Sequence, residues 1–535
     1  MDGEVYDYII AGGGTAGCVL AARLSADPTV RVLMIEAGPA YRGLHVRIPA
    51  AVSMLYQRGA YHWPHRTQPE THAAGQSLAF KMGRILGGSS AINGMIWVRG
   101  NHADFDGWAA EGCTGWSWAE VEPVFRRIEN FEDGSDPAMG HGGPIAIARG
   151  DIVNAPLNRA FVEAGHQAGY PVNANYNGAE QTGFGAMHRN TRHGQRCDVH
   201  DAYLAPALRR PNLRVLTDAT VQRIVLDGRR AVGVVFDRSG RSHTASARRE
   251  VLLCAGALGS PQILQLSGIG AAADIAALGL DVGHALPAVG ANLHTHPVIK
   301  MSFDCLQPVS VYPWTRPPRS WLAGLLWLLA RKGPAASNQM EVGAFLRSRL
   351  DLAIPDLILT LVPITVHGTF GRANRHGFDM FTELIGCKSR GSVHAQTTHG
   401  GDSPAFVFNF LEDARDLEAL RASARIIRTL AAQPAFAGLC GEELAPGPAV
   451  SSDAELDAWI REALAVTHHL AGTCRMGPAN DPRSAVAPDL RVHGLDGLRV
   501  VDASIMPTVV SANTHAAVIM IAEHAADMIA EHAAA

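Results

Sequence analysis

The sequence predicts an α/β fold with a Rossmann-like nucleotide-binding domain and a second domain. Three observations support this prediction. The chain has 535 residues, too many for one compact core. It is 47% hydrophobic and has 55 glycines, which suits a buried parallel sheet with many tight turns. Its N-terminal region carries a strand pattern, a glycine-rich turn and a helix pattern, in the order of a dinucleotide-binding βαβ unit.

The predicted βαβ unit begins with a buried strand pattern, YDYIIA, at residues 6–11. Residues 12–17 then read G-x-G-x-x-G and lead into an apolar-periodic helix. In this motif Gly12 permits the tight turn, Gly14 lets the backbone approach a pyrophosphate, and Gly17 lets helix and strand pack closely. A second strand ends at Glu36, where such units bind a ribose hydroxyl. The unit predicts a dinucleotide but does not distinguish NAD from FAD.

Charge and cysteine content argue against several classes of function. The net charge is −4 and no run of five like charges occurs, so nothing indicates a nucleic-acid partner. The eight cysteines form no C-x-x-C or Cys/His cluster, so we predict neither a metal site nor a disulfide scaffold. No basic leader precedes the first strand pattern, and we expect a cytoplasmic protein with reduced thiols.

The longest apolar run is WLAGLLWLLA at residues 321–330, flanked by Arg319 and by Arg331 and Lys332. It is about half as long as the ~20 residues that a membrane-spanning helix needs. We expect a buried or interface helix rather than one that contacts a membrane.

Two further stretches narrow the prediction: GRILGGSSAINGMIWVRG at residues 83–100 and GALGSPQILQLSGIG at residues 256–270. Both resemble signatures of the glucose-methanol-choline (GMC) family of flavoenzymes. The C-terminal sequences THHLAGTCRMG and GLRVVDASIMPTVVSANTHAAVIMIAEHAADMI agree with the same family. The resemblance extends over nearly the whole chain, although residues 301–455 carry no sharp motif. It implies FAD as the cofactor.

The resemblance also implies how the chain divides between two domains. A discontinuous FAD-binding domain would comprise residues 1–150, 213–300 and 460–535. A substrate-binding α+β domain, built on an antiparallel sheet, would comprise residues 151–212 and 301–459.

Small residues at 87–94 agree with a flavin site, because such a loop can lie flat against a fused ring. A helix is predicted to start near Thr514, and its N-terminal dipole could stabilise negative charge on the reduced ring. The predicted cofactor-binding residues are Gly12, Gly14, Thr15, Ala16, Gly17, Glu36, Ala37, Arg84, Gly88, Ser89, Asn93, Gly94, Ile96, Val221, Asp502, Ala503 and Thr514. Some family members attach FAD covalently through a histidine in the loop. That position here is Ile92, so we predict non-covalent FAD.

Alcohol oxidation needs a base for the hydroxyl proton, and histidine suits this role because its ordinary pKa of ~6.5 lies near neutral pH. The family pattern H-x-x-G-T assigns the base to His469. A second active-site position follows D-A-S-x-x-P, and we assign it to His515, which would orient the hydroxyl and stabilise a developing alkoxide. Asn513 and His468 are predicted to lie in the substrate pocket. For His468 a pocket-wall role and a satisfied polar role both remain open.

A histidine pair in NLHTHP, His294 and His296, has a spacing that can chelate a metal. This segment stands where GMC relatives carry an Asn-Leu-x-x-His element of the flavin domain. We therefore interpret both histidines as structural.

The function implied is an FAD-dependent alcohol oxidoreductase. His469 would take the hydroxyl proton, the hydride would pass to flavin N5, and oxygen or another acceptor would reoxidise the flavin. We expect a small primary alcohol, aromatic and heteroaromatic ones included, because three histidines indicate a polar, uncharged pocket. The sequence predicts no oligomeric state. The alternatives are a flavin-containing lyase or photodecarboxylase on the same fold, and a non-catalytic FAD-binding scaffold.

Overall fold

Two seven-stranded sheets organise the chain. The computed structural model describes residues 4–41, 43–59, 61–134, 136–153, 155–365 and 374–534.

The first sheet is the predicted nucleotide-binding sheet. Its parallel part contains, in spatial order, Leu213–Leu216, Val32–Ile35, Val5–Ala11, Arg241–Leu253 and Leu498–Val500. Two antiparallel strands extend the sheet: Arg230–Arg238 pairs with the long fourth strand, Arg241–Leu253, and Ala219–Asp227 pairs with Arg230–Arg238.

The register of this sheet determines where the site forms. Ala11 lies beside both Ile35 and Leu253, and Leu253 lies beside Val500. Four strands therefore end at one edge of the sheet. The loops that follow these strands carry Gly12, Glu36, Cys254 and Asp502. Open α/β sheets bind ligands in the crevice at this edge.

Helices cover this sheet because its strands are apolar on both faces. All four residues of Val32–Ile35 are buried. Helix Thr15–Leu24 and the C-terminal helix His515–Ala534 pack against each other and contribute to the same core. A Cβ on Gly17 would overlap the carbonyl oxygen of Gly12, so this close approach of helix and turn requires glycine, as the motif predicts.

The second sheet is antiparallel, which confirms the architecture expected of the substrate domain. Its spatial order is Cys440–Ala445, Pro297–Cys305, Gly377–Leu384, Leu357–Val362, Val342–Leu346 and Gly183–Ala186, with Ala465–Val466 paired to Pro297–Cys305. The predicted domain boundary at residue 300 would divide the strand Pro297–Cys305, which lies wholly in this sheet. The predicted boundary at residue 460 would assign the strand Ala465–Val466 to the FAD-binding domain, although this strand also pairs in the second sheet. Helices Pro156–Gln167, Ala414–Ala431 and Asp453–Ala463 share its core.

Shorter elements complete the fold. The remaining helices are Leu44–Arg47, Val52–Arg58, His102–Ala110, Trp118–Ile128, Ala205–Ala207, Gly256–Leu266, Ala272–Ala277 and Arg319–Ala330, with a π-helical turn at His200–Leu204 and 3-10 turns at Pro49–Ala51, Gly88–Ala91, Tyr312–Thr315, Pro334–Ala336, Pro434–Phe436 and Ala503–Ile505. The remaining strands are His62–Arg66, Ala79–Gly83, Glu129–Phe131, Ile145–Arg149, His188–Arg189, Thr191–Arg192, Gln195–Arg196, Ile269–Gly270, His284–Ala285, Ser392–His394 and Ala405–Val407.

The apolar run at residues 321–330 lies in helix Arg319–Ala330. Of its large side chains only Trp327 is buried, while Trp321 is 71% exposed and Leu329 77% exposed. Of the two alternatives expected, a buried helix is wrong, because the outer face is open to solvent, and an interface helix stays a prediction. Among the described residues no helix has both the length and the apolar character to cross a membrane.

Candidate active site

A cavity of about 1180 Å³ joins the carboxyl edge of the first sheet to the face of the second. At one end it is lined by the glycine turn and Glu36. At the other end it is lined by His469, Asn513 and residues of the second sheet such as Glu383. A cavity of this volume, lined at one end by the glycine turn and at the other by His469, has room for a dinucleotide together with a small substrate.

Glu36 closes the nucleotide end of the cavity. One carboxylate oxygen accepts a hydrogen bond from the Gly13 N–H at 2.8 Å, and the other accepts one from the Gly38 N–H at 2.7 Å. Burial raises the pKa of this carboxyl to about 7, against the opposing effect of the two backbone donors. The side chain is thus fixed by the turn itself, and each oxygen keeps a lone pair for a further donor.

Two glycine loops meet at the middle of the cavity. A Cβ added to Gly88 would lie 2.7 Å from the Cα of Gly14, in a backbone with a positive φ of +54°. The first βα turn and the Gly/Ser loop can therefore approach each other only with glycine at this position. The two loops form a cradle of exposed backbone rather than of side chains, as contacts to a pyrophosphate and a fused ring require.

Asp502 connects the C-terminal segment to the turn after Arg241–Leu253. Its Oδ2 accepts hydrogen bonds from the Gly256 N–H at 2.9 Å and the Ser260 hydroxyl at 2.5 Å. Its Oδ1 accepts one from the Ser504 N–H at 2.8 Å. Burial raises its pKa. The serine of the GALGSPQ motif therefore has an identifiable role, which is to hold the Asp502 loop at the cavity wall.

Nearly all of the predicted cofactor-binding residues line this one cavity. The exceptions are Gly17, which packs beneath the turn, and Arg84. The Arg84 side chain is exposed, and its guanidinium lies 4.6 Å from the centre of the Trp63 ring. A contact between Arg84 and the cofactor stays a prediction.

His469 has a well-defined set of neighbours. Its Nε2 lies 3.1 Å from Asn513 Nδ2, and its Nδ1 lies 3.1 Å from His296 Nδ1. Its backbone N–H donates to the Thr295 hydroxyl at 3.1 Å. Burial holds the pKa of His469 well below its usual range, and His296 lowers it further. The ring is therefore neutral near pH 7 and able to accept a proton.

Glu383 is a site residue that the sequence did not reveal. It lies on strand Gly377–Leu384, and its Oε2 is buried, 3.8 Å from Nδ1 of His469, without a hydrogen-bond partner. Burial raises the pKa of the carboxyl to about 7. No motif surrounds this glutamate, and only the pairing of the second sheet brings it to the histidine.

We interpret His296 as structural, and it does not line the cavity, but it contacts the ring of His469 directly. Its ring meets that of His469 nearly edge-on, with centres 5.2 Å apart, and burial lowers its pKa to about 3. The structural interpretation does fit His294, whose two ring nitrogens contact the Asn292 carbonyl at 2.6 Å and the Val509 N–H at 2.7 Å. Together His296, Glu383 and His469 also present ligand atoms close enough to share a metal ion, a geometry that the predicted absence of metal did not anticipate.

His468 points away from His469. Its backbone has a positive φ of +66°, and its ring stacks on Tyr56 at 5.5 Å and meets Phe80 edge-on. It lines the cavity, and its buried Nδ1 has no hydrogen-bond partner. Of the two open interpretations, these contacts favour the pocket wall.

His515 begins the C-terminal helix and also lines the cavity. Its ring meets that of Trp97 edge-on at 6.0 Å, its buried Nε2 has no hydrogen-bond partner, and burial lowers its pKa to about 3. The polar group hydrogen-bonded to His469 is Asn513. Contact of His515 with the substrate oxygen stays a prediction.

Comparison with known proteins agrees with this geometry. Models of the GMC oxidoreductase family match residues 6–298 and 387–522. The chain is 42% identical over 534 residues to an oxygen-dependent choline dehydrogenase of Serratia proteamaculans, covering 98% of this chain and 95% of that protein. A second choline dehydrogenase of the same description, from Vibrio vulnificus, is 40% identical over 526 residues, covering 98% and 94%.

Solved structures show the same fold over the whole chain. Pyridoxine 4-oxidase from Mesorbium loti superposes with a TM-score of 0.89 at 34% identity, covering 98% of this chain and 99% of that one. A formate oxidase superposes with a TM-score of 0.94 at 26% identity over 100% of both chains.

The fold and the site define a flavoprotein oxidoreductase that acts on CH–OH donors. The chain belongs to the GMC oxidoreductase family, whose cofactor is FAD. The residues present fit this cofactor. The cavity has room for it, and the middle of the cavity is lined by glycine backbone in the space that a Cβ would fill. The buried carboxylate of Glu36 closes the nucleotide end.

Proposed function

We propose that this enzyme oxidises a small primary alcohol to the aldehyde, with His469 as the base. The observation that carries the proposal is the position of His469, whose neutral ring lines the cavity with Nε2 beside Asn513. A base within reach of the cofactor space is the group that alcohol oxidation requires from the protein.

FAD would be held by the motifs described above. Residues 12–17 would face the pyrophosphate, Glu36 the adenosine ribose, and the loop at 87–94 with Asn513 and Thr514 the ring system. When bound, the flavin supplies the two-electron acceptor for the hydrogen on the alcohol carbon.

We infer the position of the proton on His469 from its hydrogen bonds. Because the Asn513 amide donates to Nε2, this nitrogen carries its lone pair, and the proton resides on Nδ1, which faces His296 and Glu383. This nitrogen has one lone pair, so a substrate hydroxyl would replace the Asn513 amide at Nε2 to find an acceptor there. Asn513 would hold the ring in the orientation in which this acceptor faces the cavity.

Glu383 would stabilise His469 after it has taken the hydroxyl proton. The imidazolium then carries its Nδ1–H 3.8 Å from the carboxylate, in a buried region where the attraction between opposite charges is strong. We propose that Glu383 positions and stabilises this proton, and that Glu383 and His469 titrate as a coupled pair.

His515 would contact the substrate oxygen from the other side of the site. His515 lines the cavity and its Nε2 is buried without a partner, and an unpaired buried polar atom is costly unless a ligand satisfies it. The same reasoning applies to His468, whose Nδ1 would bind a polar group on the body of the substrate.

The cavity walls favour an uncharged alcohol with a flat body. Tyr56, Trp63 and Phe381 line it, and the Lys81 ammonium lies 5.6 Å from the centre of the Tyr56 ring. The Lys81 ammonium at this wall disfavours a quaternary ammonium group, whereas the aromatic rings themselves and the Glu383 carboxylate, which also lines the cavity, are groups that can hold one. We propose primary aromatic or heteroaromatic alcohols before choline, because the positive charge lies beside the aromatic wall.

An anaerobic screen of alcohols, read by flavin absorbance at ~450 nm, tests the proposal. We expect bleaching by neutral aromatic primary alcohols and little or none by choline at equal concentration. Bleaching by choline alone would overturn the substrate assignment. Bond cleavage without alcohol-dependent bleaching would support a lyase on the same fold.

The electron acceptor is identified by reoxidation of the flavin. Enzyme whose flavin has been reduced by substrate is exposed either to air or to an artificial dye. Faster reoxidation by air indicates an oxidase, and faster reoxidation by the dye indicates a dehydrogenase.

The cysteines bear on the compartment. All eight are free thiols and seven of them are buried, which fits a reducing compartment such as the cytoplasm.

A further inference from the structure

The outer face of helix Arg319–Ala330 is apolar and exposed. Of the 13 large apolar side chains that are exposed among the described residues, six lie on this one helix. They are Trp321, Leu322, Leu325, Leu326, Leu328 and Leu329. We call this set the leucine face. Exposed apolar side chains are ordinary when scattered, but a contiguous group on a single element indicates a binding surface.

The leucine face is continuous. At about 100° per residue its six members occupy an arc of about 160°, and Ala323 and Trp327 lie on the opposite side. The indole N–H of Trp327 donates to the Gly194 carbonyl at 2.7 Å, and the Arg331 guanidinium lies 3.9 Å from the centre of its ring. The helix is therefore anchored by its inner side, and the anchoring fixes the leucine face outward.

The charged residues next to this helix in the sequence are all basic. Arg316, Arg319, Arg331 and Lys332 flank it, and no aspartate or glutamate occurs between Asp304 and Glu341. The whole chain nevertheless has a net charge of −4, so this local excess of positive charge is distinctive. Tryptophan and leucine on one face with basic residues at the ends are typical of helices that lie in a membrane interface.

The same helix forms part of the active-site cavity. Its inner residues Ser320, Ala323 and Gly324 line the cavity, together with Trp314 before the helix and Ala335 after it. A surface that binds on the outside of this helix would therefore lie against the wall of the site that holds His469.

We infer that the leucine face docks on an anionic lipid surface and brings the cavity wall at Arg319–Ala330 against the membrane. The apolar arc would enter the interface, and Arg319 and Lys332 near the two ends of the helix would contact lipid phosphates. A second copy of the chain fits less well, because a symmetric contact would bring the basic residues of both copies together without acidic partners. The inference does not depend on which alcohol is oxidised.

Vesicle flotation of the FAD-loaded enzyme tests the inference. The probe is phosphatidylcholine vesicles that contain roughly 30% phosphatidylglycerol, compared with pure phosphatidylcholine. We expect the wild type to float with the anionic vesicles. The double substitution Leu325→Glu and Leu329→Glu should lower the bound fraction roughly tenfold or more, because it places two charges in the apolar arc.

Two further variants separate the contribution of the leucine face from that of the basic residues. Leu350→Glu is the matched control, since Leu350 is 93% exposed and lies outside the helix, and it should bind as the wild type does. Arg319→Gln with Lys332→Gln should reduce binding to the anionic vesicles alone. The flavin spectrum and the rate of bleaching by a water-soluble alcohol should be unchanged in the double glutamate variant, because Leu325 and Leu329 do not line the cavity.

Three results would overturn the inference. The wild type could fail to float with anionic vesicles. The double glutamate variant could float as well as the wild type. Sedimentation velocity could instead reveal a dimer that the same variant dissociates, which would assign the leucine face to a second copy of the chain.

Discussion

Asn513 Nδ2 lies 3.1 Å from Nε2 of His469, although the two residues are 44 positions apart in the chain. The family pattern assigns the second active-site position to His515, two residues further on. The structure gives these two residues different surroundings, since Asn513 is hydrogen-bonded to the proposed base and His515 is packed against Trp97. The three side chains can therefore be distinguished by their kinetic effects.

Replacing His469 with alanine should nearly abolish reduction of the flavin by alcohol. Loss of a positioned base costs about 10²- to 10⁴-fold in rate. FAD should remain bound, because His469 lies at the substrate end of the cavity. Single-turnover bleaching measures the rate, and the flavin-to-protein absorbance ratio measures occupancy. His532→Ala, an exposed histidine on the C-terminal helix, is the control and should react normally. A bleaching rate in His469→Ala within a few-fold of wild type would refute the assignment of the base.

Asn513→Ala and His515→Ala should differ in how they divide between kcat and KM. Asn513 orients the base, so its loss should lower kcat by roughly tenfold or more with a small change in KM. His515 is proposed to bind the substrate oxygen directly, so its loss should also raise KM. Steady-state kinetics with one good substrate measures both. If Asn513→Ala retained full kcat while His515→Ala lost it, the orienting role would belong to His515.

Glu383→Gln should alter how stability depends on pH. An unfolded glutamate has a pKa of about 4.5, and burial raises the folded value to about 7. Between these values the folded protein keeps a proton that the unfolded chain has lost, so the free energy of unfolding falls as pH rises through this window. The loss is on the order of 3 kcal/mol above pH 7. Glutamine at this position removes that dependence.

Urea midpoints of the two proteins at acidic and at neutral to basic pH measure this difference. The glutamine variant should gain stability relative to wild type as pH rises, and a constant difference would contradict the raised pKa. Activity supplies a second readout, since only the ionised carboxylate stabilises the protonated His469. Wild-type kcat/KM should therefore rise through about pH 7, and Glu383→Gln should lack this rise.

FAD should leave the protein on acid precipitation. Ile92, at the position where some relatives carry a histidine linked to the flavin, is buried among apolar side chains that include Val46, Leu55 and Ile85. It offers no nucleophile, so the yellow colour should appear in the supernatant after trichloroacetic acid treatment. Colour that stays with the washed pellet would show a covalent link through another residue.

The parts of the site that the sequence predicted are those in which backbone geometry dictates residue type. Gly12 and Gly88 are required by the close approach of neighbouring backbone, and Asp502 by a set of backbone donors, so each leaves a local motif. The base was predicted because it belongs to such a motif. Its assignment over the neighbouring His468 agrees with their opposite directions in the structure.

The parts of the site that the sequence did not predict depend on contacts between residues that are far apart in the chain. Glu383 reaches His469 only through the register of the antiparallel sheet, and its own strand carries no motif. His296 is 173 positions from the histidine that it contacts. The path of the backbone between Asp502 and the C-terminal helix decides whether Asn513 or His515 meets the base, and residue spacing alone did not specify it. The exposed side of Arg319–Ala330 could not be inferred from an apolar run that reads equally well as buried.

The order in which the chain supplies this site has a consequence for its synthesis. Leu498–Val500 joins the first sheet beside Arg241–Leu253, and His469, Asp502 and Asn513 come from the same late stretch of chain. A nascent chain with only residues 1–460 outside the ribosome has its glycine turn and most of its second sheet. It lacks the proposed base His469, the strands Ala465–Val466 and Leu498–Val500, and the helix that covers Thr15–Leu24. Fragments that stop before this stretch would therefore be inert in the proposed reaction.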